Sequence, residues 1–263
     1  MNTGKIVRST FEVENGVPVE LGDMRLDGVS VPGAPIRMDF LNPAGSMTGR
    51  LLPTGRAIDV ISLPPITPLG QPRNFHVSCV DAANPFVFVS SEELGLIGGE
   101  SVAVLAATVT TTLMEIRALA AVRMGLAKTP EEAAPIMGTP KIAIVGPPGR
   151  YETTSGREIQ AEDADIWVRP YSMGKPHPTI QMTGAVCVGA ASSIPGSLVN
   201  LAFTQSRRSR GQDTAGPVIV GHAGGTMAVE GSSRVEADEV IVECGTVYRT
   251  ARRLMEGTVL CYA

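Results

Sequence analysis

Apolar and polar residues alternate in short runs along much of the chain, with turn residues between them, which predicts many short strands. Residues 5–13 alternate in part, and Asn15-Gly16 just after them is a hairpin signal. Further strands are predicted over 36–41 and 57–63. Residues 75–80 and 86–90 form two very apolar runs around the polar turn Asp81-Ala82-Ala83-Asn84-Pro85. The C-terminal half repeats the theme at 142–145, 164–171, 198–202, 218–220, 226–229, 240–247 and 258–262.

Three stretches predict helix instead. Ser90 and Glu93 have capping-box spacing and place a helix start near 90. Residues 100–124 are the longest candidate: Leu105, Val109, Leu113, Ile116, Ala120 and Met124 recur at helical spacing, and Gly125 stands at the stop. Thr108 and Thr110 to Thr112 count against it, because β-branched side chains cost a few tenths of a kcal/mol each in a helix. Residues 184–193 are almost all small, and Pro195-Gly196 ends them. A helix of small residues suits a position where a sheet wraps closely around it.

Composition narrows the class. The apolar fraction of 43% and charged fraction of 18% over 263 residues are those of a folded chain with a sizeable core. With 29 Gly and 20 Pro, many strands and turns fit, and the proline-rich run 64–71 is the best boundary between a first unit, 1–74, and a second, 75–263. A net charge of −4 gives no basic face for nucleic acid. The one basic run, Arg207-Arg208-Ser209-Arg210, reads as a solvated loop. Four cysteines without a CxxC pair read as free thiols in a reducing compartment, not a zinc motif. The first residues carry no apolar signal core, and no run of ~18 apolar residues suggests a membrane span. A cytoplasmic location is the resulting expectation.

The chemistry-bearing residue types concentrate in three places. Asn84 precedes a proline and is held extended, so its amide is rigid enough to hydrogen-bond a ligand; a plain tight turn is the alternative. Arg169 to Pro178 carries a guanidinium, the Lys175 ammonium and the His177 imidazole on a stretch stiffened by three prolines, which suits carboxylate recognition. Thr183-Gly184 opens the small-residue helix, whose first N–H groups favour an anion; a mere cap at Thr183 is the alternative. His222, among glycines, is a weaker candidate. Together these read as a site for a small anion with no cofactor requirement.

These segments resemble the PrpF family. The likeness lies in Tyr171-Ser172-Met173-Gly174-Lys175-Pro176-His177 followed by Thr183-Gly184-Ala185-Val186-Cys187, in Val80-Asp81-Ala82-Ala83-Asn84-Pro85, in Leu52-Pro53-Thr54-Gly55 and in Arg249-Thr250-Ala251-Arg252-Arg253-Leu254-Met255. The family includes 2-methylaconitate cis–trans isomerase, methylitaconate isomerase and 4-oxalomesaconate tautomerase. The resemblance implies an α+β, diaminopimelate epimerase-like fold, in which barrel-like sheets surround a central helix. It further implies a cofactor-independent allylic proton transfer on a small unsaturated di- or tricarboxylate. Substrate binding would fall to Asn84, Ser172, Met173, Lys175, His177, Thr183 and Gly184. Thr183 stands where the epimerases have a catalytic cysteine, and Cys187 is expected in the core. The pattern is expected to begin part-way, near Asn2-Thr3-Gly4-Lys5, without the family's N-terminal lysine and cysteine. No main base is then assigned, and Lys175 and His177 are the fallback proton-transfer groups. The alternative is a non-catalytic paralogue that binds a carboxylate or a partner chain. A homo-oligomer fits either reading.

Overall fold

The computed structural model describes residues 3–65, 71–237 and 239–259. Its strands are β1 (Ile6–Thr10), β2 (Val13–Glu14), β3 (Val17–Pro18), β4 (Ile36–Leu41), β5 (Asp59–Leu63), β6 (Arg73–Ala82), β7 (Asn84–Ser90), β8 (Lys141–Gly146), β9 (Tyr151–Glu152), β10 (Glu158–Ile159), β11 (Ile166–Ser172), β12 (Lys175–Pro176), β13 (Val218–His222), β14 (Gly225–Glu236) and β15 (Glu239–Arg249). The helices are α1 (Val102–Thr108), α2 (Thr110–Arg123), α3 (Pro130–Ala133), α4 (Met182–Ser192) and α5 (Leu198–Ser209). One sheet runs β1-β4-β15-β14-β13-β11-β8-β7-β6-β5, with β12 paired to β11. Its neighbours are antiparallel except β7–β8 and β11–β13.

The middle of that sheet is buried on both faces, which explains the near-continuous apolar runs of β6, β7, β8 and β11. One face carries Val80, Phe86, Phe88, Ala143, Val145, Ile166 and Val168 and packs on α4 and α5. The other carries Cys79, Val87, Val89, Ile142, Ile144 and Trp167 and packs on α1 and α2. Helix α4 is buried from Gly184 to Ser192, as expected of a helix that is apolar all round. Small residues let the sheet close on it: a Cβ at Gly189 would stand 2.8 Å from Val229 Cγ1.

Several expectations are corrected. The 100–124 helix is two helices bent by 71° at Val109. Thr108 Oγ1 donates to Val104 O at 2.7 Å and Thr110 Oγ1 to Leu105 O at 3.3 Å, the back-bonding that bends helices. At 90–93 there is only a 3₁₀ turn, Glu92–Leu94, and Glu93 instead accepts from the backbone N–H of His76 at 2.7 Å. The predicted strand 198–202 lies in α5, which Ser197 caps by accepting from Asn200 N and which buries Val199, Ala202, Phe203 and Ser206 along one stripe. The supposed solvated loop at Arg207 to Arg210 is the end of that helix and its cap. Arg207 Nη2 and Arg210 Nη2 both bind the buried Asp165 carboxylate, at 2.8 and 2.6 Å. Most of the proposed boundary 64–71, and the end of the predicted strand 258–262, lie outside the described residues. Asn15-Gly16 does turn β2 into β3, both residues at positive φ. No single described helix is long and apolar enough to cross a membrane.

Candidate functional site

The start of α4 organises the site. Gln181 occupies the cap position with extended backbone, and its side chain caps nothing. The helix therefore begins one residue before Thr183, which lies in the first turn and is not the cap. The first intrahelical bond runs from Ala185 N to Gln181 O at 2.8 Å. The amides of Met182, Thr183 and Gly184 thus belong to the turn that has no internal acceptor. The amide group of Gln181 is buried, and neither its oxygen nor its nitrogen is hydrogen-bonded among the described residues.

The sheet delivers residues to this helix end. Phe86 stands so close that a Cβ on Gly184 would meet its Cζ at 2.8 Å. Gly184 is thus needed for packing, whatever its backbone N–H binds. Asn84 shares the face of Phe86, two residues earlier on β7. Among the described residues its Nδ2 donates only to the Pro85 carbonyl next door, at 3.3 Å. The turn behind it is fixed by Asp81, fully buried, which accepts from Ser46 Oγ, Met47 N, Thr48 N and Thr48 Oγ1. Ala83, at positive φ, donates its N–H to Pro43 O. In this segment Asp81 builds the turn, and the Asn84 side chain takes no part in holding it.

Lys141, which the sequence reading passed over, is paired with Phe86 across the parallel β7–β8 register. Its Nζ donates to Ser172 Oγ at 3.2 Å, and burial pulls its ammonium below the usual lysine range. Among the described residues it has no carboxylate partner. Nothing in its flanking sequence marked it, since a lysine opening a strand is ordinarily a solvated end. Ser172 is opposite Lys175 in the β11–β12 hairpin, whose tip is Met173 and Gly174, both at positive φ. Met173 and Lys175 are exposed, and Lys175 makes no ion pair among the described residues. His177 is fixed by the main chain: its N–H donates to Pro170 O at 2.8 Å, and Nδ1 lies 2.5 Å from Thr179 O.

Two basic groups are elsewhere than their segments suggested. Arg169 is not on the proline-stiffened loop but inside β11, 2% exposed. Its guanidinium lies 4.5 Å from the ring centres of both Tyr151 and Trp167 and donates to the carbonyls of Val168 and Gly221. Burial pushes it down to about 10. His222 is fully buried; its Nδ1 accepts from Gly224 N at 3.1 Å, and its Nε2 has no partner among the described residues. Burial, reinforced by Arg169, lowers it to about 4, so it is neutral at pH 7. Cys187 packs in the core as expected, its thiol pushed well up by burial, and burial raises Cys79 to about 12. Neither is a thiolate near neutrality. A cavity of about 560 Å³ opens beside Thr179 and Ile180, but none of the seven predicted binding residues lines it.

The model of the PrpF family, "PrpF protein", matches residues 1–262. The chain belongs to the PrpF family. The chain is 38% identical to the 2-methyl-aconitate isomerase of Shewanella oneidensis, over 98% of this chain and 63% of that protein. It is 37% identical to the 3-methylitaconate isomerase of Eubacterium barkeri, over 98% of this chain and 64% of that protein. The crystal structure of methylitaconate-delta-isomerase superposes with a TM-score of 0.81 at 37% identity, covering 98% of this chain and 64% of that one. The chain therefore spans a little under two thirds of the length of these PrpF relatives. Its α+β fold is the one seen in methylitaconate-delta-isomerase.

Proposed function

We propose that this PrpF-family chain serves a cofactor-independent isomerase of small unsaturated di- or tricarboxylates, acting by allylic proton transfer. The observation that carries the proposal is the start of α4, where three amides without intrahelical acceptors follow the Gln181 side chain, unpaired among the described residues, and face Phe86, two residues along β7 from Asn84. Free first-turn amides favour a carboxylate and, more strongly, the charge that spreads onto it as an enolate forms. The relatives' names supply the substrate class.

In this reading a base removes a proton next to the conjugated double bond. The extended enolate is held by the α4 amides, and the proton returns at a conjugated carbon. Asn84, Thr183 and Gly184 orient one carboxylate. Ser172 and Lys175, with Met173 between them and Lys141 behind, meet another from the hairpin. His177, tied to Thr179, shapes the approach to the helix, and no side chain is assigned as the main base. The division into 1–74 and 75–263, the cytoplasmic location and a homo-oligomeric state belong to the same proposal. That division falls within β6, and β4 and β15 pair across it.

The test is an absorbance assay on 2-methylaconitate, methylitaconate and oxalomesaconate, since moving a double bond into or out of conjugation with a carboxylate changes near-ultraviolet absorption. Turnover of at least one supports the proposal. Binding without turnover of any favours the non-catalytic alternative.

A further inference from the structure

The cavity of about 560 Å³ beside Thr179 and Ile180 is unlike an ordinary surface dimple in its charge. Its wall holds three arginines, Arg25, Arg157 and Arg249, against one acid, Asp27. Asp27 is already committed: its Oδ2 accepts from Thr226 N at 2.6 Å and Thr226 Oγ1 at 3.1 Å, and it pairs with Arg157. The wall is left with a surplus of positive charge.

Arg249 is the group that this arrangement leaves without a strong partner among the described residues. It is half-buried near the end of β15, and its Nη1 donates only to its neighbour's carbonyl, Tyr248 O, at 3.2 Å and to the Met227 sulfur at 3.8 Å. A thioether is a weak acceptor. Its Nε and Nη2 make no hydrogen bond among the described residues, and it has no carboxylate within ion-pair reach there. Desolvation accordingly works against its charge. A guanidinium withdrawn from water without a counter-charge is costly unless something anionic and planar completes it, and a carboxylate matches its fork with two parallel bonds.

The cavity also adjoins the site already described. Arg249, Gly245 and Val247 alternate along β15 onto one face, and Val247 and a Cβ on Gly245 face α4. Ile180 and Thr179 of the cavity wall lead directly into Gln181 and the first turn of α4.

We propose that this cavity is an anion-binding site for a small carboxylate, with Arg249 as its anchoring side chain. The proposal rests on the isomerase reading only for the ligand's identity as a polycarboxylate. The preference for an anion follows from the cavity wall itself. Arg157 is held by Asp27 and supports the wall, and Arg25, exposed at its rim, adds field without a fixed bond.

The experiment is calorimetric titration of the full chain with trans-aconitate, with inorganic phosphate as comparison, on wild type, Arg249→Gln and Arg249→Lys. Wild type should bind the tricarboxylate. Arg249→Gln should lose roughly tenfold to a hundredfold in affinity, the scale of one charge-assisted pair, and Arg249→Lys should retain part of it. A second measurement needs no variant: trans-aconitate should slow the modification of Arg249 by phenylglyoxal, followed by peptide mass spectrometry, and phosphate at the same concentration should slow it less. Wild type that binds no trans-aconitate, Arg249→Gln with unchanged affinity, or labelling of Arg249 that aconitate does not slow, would each overturn the proposal. So would equal protection by phosphate, which would assign the cavity to another anion class. Turnover that survives Arg249→Gln at unchanged affinity sinks this inference and leaves the isomerase reading standing. Arg249-dependent binding without turnover does the reverse.

Discussion

Replacing Asp81 with alanine should be among the most destabilising single changes in this chain. Its carboxylate has no solvent exposure and receives four hydrogen bonds: 2.5 Å from Ser46 Oγ, 2.8 Å from Met47 N, 2.7 Å from Thr48 N and 2.8 Å from Thr48 Oγ1. Hydrogen bonds to a charged group are worth about 1.5–3 kcal/mol each, so a plain sum would reach roughly 6–12 kcal/mol. That sum overstates the loss, because the four share one carboxylate and Met47 is exposed. Once the loop is released, the Met47 and Thr48 donors rehydrate. Ser46, 6% exposed, is the donor that stays stranded. The net loss should be about 3–5 kcal/mol, the range for breaking a buried charged network. Urea unfolding measures it: with a slope of about 2–3 kcal/mol/M, the midpoint should fall by about 1–2.5 M with the slope unchanged. Asp81→Asn keeps one acceptor oxygen and should fall between the two. A midpoint shift below about 0.3 M for Asp81→Ala would show that the 44–48 loop does not depend on this carboxylate, and that Asn84 is placed by something else.

Gly184→Val should lower the melting temperature by overpacking Phe86, at a cost of about 1–3 kcal/mol; an unchanged melt would mean that Phe86 yields freely. Burial works to raise the Asp165 carboxyl, but Arg207, the Ile219 N–H and Arg210 outweigh it, so its folded value lies below the unfolded one of about 3.9. Its contribution is therefore complete above that value and lost as pH falls below about 4, and acid unfolding of Asp165→Asn should lack that loss. His222 runs the same way from a higher start. Its folded value of about 4 lies below an unfolded value of about 6.5, so stability should fall by up to about 3 kcal/mol between those pH values. His222→Gln should flatten that stretch of the stability profile, and an equally steep profile in the variant would assign the loss to other groups.

The parts of the fold that were legible are those where local pattern and tertiary role agree. Helix α4 could be read because its small residues are the ones a closely wrapped helix requires: Gly184 and Gly189 let Phe86 and Val229 approach, and Gly245 of β15 makes room for Val186 of the helix. Helix α5 was read as a strand because Leu198, Val199, Leu201 and Ala202 crowd its first turn, while its buried stripe shows only when Phe203 and Ser206 are included. The break at Val109 depends on threonine hydroxyls bonding back to carbonyls, which composition hints at but spacing does not locate. At the candidate site, the start of α4 was legible to within a residue or two, but its cap was not, since Gln181 and not Thr183 holds that position. Lys141 was not legible, because its partner Ser172 is 31 positions away and only the β8–β11 register brings them together. Arg169 misled for the converse reason: it sits among loop-forming residues in sequence, but the strand alternation turns it onto Trp167.

The central claim is that this chain's anion site serves an allylic proton transfer, and solvent exchange tests it most directly. The full chain is incubated with 2-methylaconitate or methylitaconate in deuterium oxide, and the proton spectrum of the carboxylate is followed with time. The account predicts interconversion of isomers with deuterium entering the allylic position, slowed in Asn84→Ala and Lys175→Ala. Unchanged spectra for every substrate, from a protein that calorimetry shows to be folded and to bind trans-aconitate, would contradict it.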